Sequence, residues 1–249
     1  MSQNGVNANG ANGAIGNDSN GNDFRDVLQP CGDGIWTATR PMRFFLLETG
    51  TRMTVVRLSC GGLFVHSPVA LDARMREAID SLGPVRAIVA PSRFHHLFVP
   101  QWIAAYPDAR SFACPGLSDK RPDVAWNHVL GDEPDALWRA DLAQVFFGAR
   151  PLENEVVFFH APSRSMICVD AVFNLSTHPS WLTRAVAWVI GNRKPGATFL
   201  EPLLIRDRAG ARAQIERMLA WDFDRILLAH GQPVTSDGRK VLQRAFEWL

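Results

Sequence analysis

The sequence predicts a mixed α/β fold, an αββα sandwich in which two sheets pack face to face under outer helices. Short strand-like runs lead into βα units, and the same order recurs in the second half of the chain. Several helical runs are apolar on one side only, as outer-layer helices must be. With 249 residues, 47% of them hydrophobic, the chain can bury such a core as one large domain.

Residues 1–23 are mostly Asn, Gly, Ser and Asp, with only Val6, Ile15 and a few alanines to bury. That composition cannot offset its ordering entropy and predicts a disordered tail, with the folded domain over 24–249. Runs at 34–39, 43–48, 53–58 and 63–66 are short, rich in β-branched or aromatic residues and cut by Gly or Pro, so they read as strands. Leu71, Met75, Ala78, Ile79 and Leu82 then recur at helical spacing, opposite Arg74, Arg76, Glu77 and Asp80. A strand at 85–90 follows, then a helix over 97–105 and a strand at 111–114. In the second half, 144–148, 155–160 and 165–169 read as strands, with a hairpin turn over 161–164. An apolar helix over 181–190, an amphipathic one over 209–220, a strand at 225–229 and a helix over 238–249 complete the pattern.

The totals exclude several function classes. The 26 basic and 25 acidic residues nearly cancel without a long same-sign run, so neither nucleic acid nor an anionic membrane is the expected partner. Cys31, Cys60, Cys114 and Cys168 show no Cys-x-x-Cys spacing, which argues against a disulfide scaffold or thiolate zinc site. No stretch approaches a membrane span, and the start lacks the basic flank and apolar block of a signal peptide. A cytoplasmic protein with a small-molecule substrate or ligand is expected. The apolar helix 181–190 suits a homodimer contact.

Four residues at strand ends carry the chemistry. His95 and His96 follow the apolar run 85–90 through a Pro-Ser-Arg-Phe loop, Asp170 ends the run 166–169, and His230 ends 226–229. Three neutral imidazoles and a carboxylate suit Zn²⁺, and also Fe²⁺ or Mn²⁺ with open positions. If all four bind a tetrahedral zinc, no position remains for water. A catalytic version then requires five-coordination or release of one ligand, His95 being the candidate to orient or deprotonate the water.

These residues resemble the metallo-β-lactamase fold over most of 27–249, and within it a subfamily described only as a domain of unknown function. The superfamily strand before the first helix ends in His-x-His-x-Asp-His. With its last His set on His96, His95 takes the aspartate position, Arg93 the second His and Pro91 the first. Asp170 resembles the bridging aspartate, and His230-Gly231 the C-terminal Gly-His-Gly histidine, preceded here by Ala229. The third-His segment falls near 150–155 and contains no histidine, and the early Asp-Thr-Gly is His66-Ser67-Pro68. All three ligands of one family metal are therefore replaced, while each position of the other carries a potential ligand. The resemblance implies at most a mononuclear centre of His95, His96, Asp170 and His230. Arg93, where a ligand would stand, can supply the missing ion's charge by pairing with Asp170, or can make the pocket cationic enough to exclude metal. Asp170, His95 and Arg93 are the expected catalytic residues.

Other candidates have plainer readings. His66 suits either a supporting role behind the ligands or a turn. His160, His128 and His178 read as surface residues, Ser163 and Ser165 lack a nucleophile-elbow context, and nothing marks Cys60 as reactive. Trp181 and Trp188 are candidates for the pocket lining. Three functions remain open: a mononuclear metal-dependent hydrolase of a small ester, thioester, amide or lactone; a degenerate binding or scaffold protein without metal; and a mononuclear-iron oxidoreductase or lyase.

Overall fold

The computed structural model describes residues 26–44, 47–149 and 154–249, so the tail expected over 1–23 lies outside the described residues. In chain order the first strands are β1 (Gln29–Gly32), β2 (Ile35–Arg40), β3 (Arg43–Phe44), β4 (Leu47–Glu48), β5 (Thr51–Arg57) and β6 (Leu63–His66). Then come α1 (Ala73–Leu82), β7 (Val85–Ala90), α2 (Val99–Ala105), β8 (Arg110–Ala113), α3 (Leu117–Lys120) and β9 (His128–Val129). The second half holds β10 (Leu142–Phe147), β11 (Glu155–His160), β12 (Ser165–Ile167), α4 (Trp181–Val189) and α5 (Glu201–Leu204). It closes with α6 (Arg208–Leu219), β13 (Arg225–Leu227) and α7 (Gly238–Ala245).

Seven strands form one sheet in the order β1-β2-β5-β6-β7-β8-β9, and four form a second, β10-β11-β12-β13. The two-residue periodicity of the strands sorts their side chains into three apolar layers. On β6, Leu63 and Val65 face outward with Met75, Ile79 and Trp102, so α1 and α2 cover that side. Phe64, between them, points inward with Val56, Val89 and Phe112 to meet Phe158, Ile167 and Leu227 of the second sheet. On β11, Val157 faces the other way, into a layer with Ile215 and Met218 of α6 and Val241 and Leu242 of α7. Helix, sheet, sheet, helix is the predicted αββα order.

Local signals set the element ends. Asp72 caps α1 by accepting from Met75 N at 2.8 Å, so the helix starts after the predicted residue 71. Pro100 lies in the first turn of α2, where a missing N–H costs nothing, and Trp102 Nε1 donates to Val69 O at 2.7 Å. The strand expected over 43–48 is instead a ribbon, with Arg43 paired to Glu48 and Phe44 to Leu47. Arg43 and Glu48 sit directly opposite with an ion pair of 2.8 Å, which favours the turn-back over a continuous strand. The short elements β1, β9, α3 and α5 carry too few residues to show a period, and the sequence does not announce them.

The first-sheet strands from β6 to β9 run parallel, as do β12 and β13. Parallel pairing puts the C-terminal ends of neighbouring strands at one edge, where α/β sheets gather functional side chains. That edge receives the residues after β6, β7, β12 and β13. No helix among the described residues is long and apolar enough to cross a membrane.

The aromatic contact between the sheets is the most demanding packing. Phe158 meets Phe64 at 5.1 Å and Trp138 at 6.3 Å between ring centroids, both edge-on, and all three are fully buried. Phe158→Ala is expected to cost about 3–5 kcal/mol, read as a lower urea midpoint at unchanged slope.

Candidate metal centre

Three of the expected ligands converge. His95 arrives on the loop after β7, Asp170 three residues beyond β12, and His230 three residues beyond β13. His95 Nε2 lies 3.2 Å from His230 Nε2, while Asp170 Oδ2 and Oδ1 lie 3.5 Å from His95 Nε2 and His230 Nε2 respectively. Two donors each about 2.1 Å from a tetrahedral ion stand about 3.4 Å apart, close to the 3.2 Å between the two nitrogens, and each nitrogen has a different Asp170 oxygen at 3.5 Å. Among the described residues, these three are the His, Cys, Asp and Glu group able to hold one ion.

The far nitrogens fix the orientation of the rings. His230 Nδ1 lies 2.8 Å from the carbonyl oxygen of Gly50, which can only accept, so Nδ1 carries the proton and Nε2 offers its lone pair to the centre. His95 Nδ1 lies 2.9 Å from Ser67 Oγ, whose hydroxyl can serve either tautomer. Ser67 reaches that position from a left-handed backbone at φ 53°, directly after β6. Burial and the neighbouring His95 lower the pKa of His230, with Asp170 and the Gly50 contact opposing them. The neutral, metal-ligating imidazole is therefore favoured at ordinary pH.

His96 departs from expectation and does not join the triangle. Its Nδ1 faces Arg121 Nη1 at 2.9 Å, and because a guanidinium only donates, Nδ1 is the acceptor. Burial, with Lys120 and Arg121 nearby, lowers its pKa to about 4 and keeps the ring neutral. Both rings border the cleft, but only one meets Asp170 and His230 directly. The ring that does so is His95, at the family's aspartate position.

Arg93 stands on the same loop. A Cβ added at Gly116 would meet its Cδ and Nε at 3.8 Å, and its carbonyl accepts from Lys120 Nζ at 2.6 Å. It is not among the described residues lining the cleft that opens over the triangle. That cleft holds about 420 Å³ between Met42, Phe94, Phe98, Phe173 and Leu175, with Arg43 and Lys120 as its cations.

Two further residues escaped the sequence reading. Glu155, 1% exposed, accepts from Val169 N at 2.6 Å and Asp170 N at 3.0 Å, so a buried carboxylate holds the backbone that carries Asp170. Arg52, also buried, donates to Leu228 O at 2.5 Å and Gly231 O at 2.9 Å, bracketing His230. No local motif announces either; the only signal is a charge at the head of a mostly apolar run. His160, expected at the surface, is buried with Nδ1 2.8 Å from Ser163 Oγ, because β11 turns it inward before the hairpin. Trp181 and Trp188 are exposed by 72% and 59% and lie outside the cleft lining.

Gly231 is required by space as well as by conformation. Its φ is +93°, and a Cβ there would sit 1.8 Å from Asn174 O. Gly231→Ala is expected to cost at least about 2 kcal/mol in urea unfolding, since backbone and not a flexible side chain must move.

His66 closes β6 on its inward face, with its ring against Phe64 and Phe158 and its Nε2 buried without a hydrogen-bond partner among the described residues. Burial, then His95, lowers its pKa from 6.5 to about 3. Between those values the unfolded chain binds more protons than the folded one, so stability is complete above about pH 6.5 and falls as pH drops toward 3. His66→Leu is expected to match the native chain at pH 7.5 and to lose less stability on acidification, by on the order of 1 kcal/mol or more. Urea titrations of both proteins across that range check this, and parallel pH curves would contradict it.

Comparison with known proteins gives the architecture a name. Residues 32–118 match the family described as Domain of unknown function (DUF4336). No curated protein matches the chain in sequence. Among solved structures, the chain is similar to a metallo-beta-lactamase from Hirschia baltica at 15% identity, covering 88% of this chain and 95% of that one, with a TM-score of 0.61. A metallo-beta-lactamase from Pontibacter korlensis aligns at 9% identity over 88% and 96%, with a TM-score of 0.61. The mono-zinc form of the metallo-beta-lactamase FIM-1 from Pseudomonas aeruginosa aligns at 11% identity over 89% and 95%, with a TM-score of 0.59. On its layers, its topology and these likenesses, the chain has the metallo-β-lactamase fold.

Proposed function

We propose that the chain is a cytoplasmic hydrolase of a small ester, thioester, amide or lactone, using one divalent ion, zinc first, held by His95, Asp170 and His230. The observation that carries this is the convergence of His95 Nε2, His230 Nε2 and the two Asp170 oxygens, with contacts of 3.2, 3.5 and 3.5 Å, at an open cleft. Three protein donors leave room for water and substrate, which four donors on a tetrahedral ion would not. The mono-zinc form of a structural relative lends the single-ion reading support. When bound, the ion supplies Lewis-acid polarisation and a nucleophile at neutral pH.

The chain's own residues supply the rest. Ser67 and the Gly50 carbonyl aim the two imidazoles, and Glu155 fixes the peptide that presents Asp170. Phe94, Phe98, Phe173 and Leu175 form an apolar wall that excludes water from the reacting group. Lys120 favours a substrate with an anionic end, while Arg43, also lining the cleft, is already paired with Glu48. In this reading Arg93 takes the place of the second ion's charge. Its cation acts on the Cys114 thiol against Glu155, which puts it near the carboxylate that holds Asp170.

A second reading is favoured by the donor set itself. Two histidines and one carboxylate with open positions also suit non-haem Fe²⁺, and would support an oxidoreductase or lyase. Metal analysis of the purified chain is expected to give one ion per chain, lost in Asp170→Ala and His230→Ala and retained in His96→Ala. Zinc with turnover of model esters, thioesters or lactones supports the hydrolase, and ferrous iron supports the second reading. A chain that carries no metal and cannot be loaded would leave the degenerate binding protein.

A further inference from the structure

The segment between Asp170 and Asp207 forms a lobe whose outward face is apolar. Helix α4 buries only Thr183 and Ala187, while Trp181, Trp188 and Val189 are exposed by 72%, 59% and 66%. The chain then doubles back, with Phe199 N donating to Ile190 O, so that exposed Phe199 and, on α5, Leu203 at 77% extend the same region. Scattered apolar side chains are normal on a surface, but so many on one short segment, two tryptophans among them, mark a contact site.

Charge identifies the partner. Between residues 171 and 206 the bases are Arg184, Arg193, Lys194 and Arg206, and the single acid, Glu201, is 1% exposed. Every exposed charge of the lobe is thus positive, on a chain whose totals nearly cancel. Arg193 stacks on Trp188 at 4.0 Å, placing a cation beside a ring as at a lipid headgroup level. A two-fold contact with a second copy would bring these like charges together, whereas anionic headgroups neutralise them while the tryptophans and leucines enter the acyl boundary. We propose that this lobe docks the protein peripherally on an anionic phospholipid surface. The whole-chain charge balance, which argues against such a partner, conceals the segregation. The cleft opens alongside: Thr183 Oγ1 of α4 donates to Glu48 O at 2.8 Å, tying the lobe to the β3–β4 ribbon whose Arg43 lines the cleft.

The test is co-sedimentation of the full chain with phosphatidylcholine vesicles, with and without phosphatidylglycerol, at two salt concentrations. The chain is expected to pellet with the phosphatidylglycerol vesicles, to release as salt rises, and to shift its tryptophan emission to the blue on binding. Trp188→Ser with Leu203→Ser should weaken partitioning by about tenfold or more, as should Arg193→Gln with Lys194→Gln. Both pairs are on the surface and should leave the urea midpoint unchanged. Failure of the native chain to pellet with anionic vesicles overturns the proposal. So does a stable dimer, seen by light scattering, that is dissolved by the Trp188→Ser and Leu203→Ser pair and binds no vesicle. Neither readout depends on metal content or turnover, so the result is independent of the hydrolase reading.

Discussion

The candidate centre exists only because two separate sheets are held at a fixed distance and register. His95 belongs to the first sheet, Asp170 and His230 to the second, and the three must meet within a few tenths of an ångström. The tie that achieves this is the buried Arg52 of β5, whose guanidinium reaches across to the carbonyls of Leu228 and Gly231 on either side of His230. The Gly50 carbonyl, one residue before β5, completes the crossing by accepting from His230 Nδ1. A buried cation spending its donors on backbone carbonyls is costly to desolvate and costly to remove, so the sheet spacing resists drift. Glu155 does the corresponding work within the second sheet, accepting both peptide N–H groups that lead into Asp170.

Much of this was legible in the sequence, and the part that was not has a common cause. Strand ends at 66, 90 and 160 follow from apolar period and flanking turns, which act within a few residues, while β12 and β13 stop two residues short of the expected 169 and 229. The gathering of His95, Asp170 and His230 at one edge follows from the topology those strands imply. Which imidazole of the His95–His96 pair faces the centre does not, since it is settled by Ser67, 28 residues earlier, and Arg121, 25 residues later. Glu155 and Arg52 were missed for the same reason. A charged residue in a strand reads locally as a solvent-facing position, and only its partners across the sandwich show it to be buried.

The lobe after Asp170 shows the complementary limit of whole-chain totals. Charge is conserved in a sum but not in space, and a chain with 26 basic and 25 acidic residues can still hold a segment, 171–206, whose exposed charges are all basic. Helix α4 is apolar in sequence, which suits a homodimer contact or a pocket lining. Its short inward side, Thr183 and Ala187, instead lets the large side chains point out, because small residues are what fit against the ribbon.

The donor count has a consequence for charge that ties the site together. Two neutral imidazoles and one carboxylate carry a single negative charge, so a divalent ion leaves the centre with a net positive one. In a cleft walled by Phe94, Phe98, Phe173 and Leu175 that excess would be poorly screened, and it would add to the charge of Lys120. Lys120 already stands among other cations, its pKa lowered by burial and then by the neighbouring Arg93 and Arg121. A fourth neutral ligand at His96 would leave this excess unchanged, yet would close the position through which an anionic ligand can neutralise it. The turning of His96 toward Arg121 therefore does more than remove a donor. With His96 on Arg121, a single ion held by His95, Asp170 and His230 would keep a position free for an anion entering from the cleft.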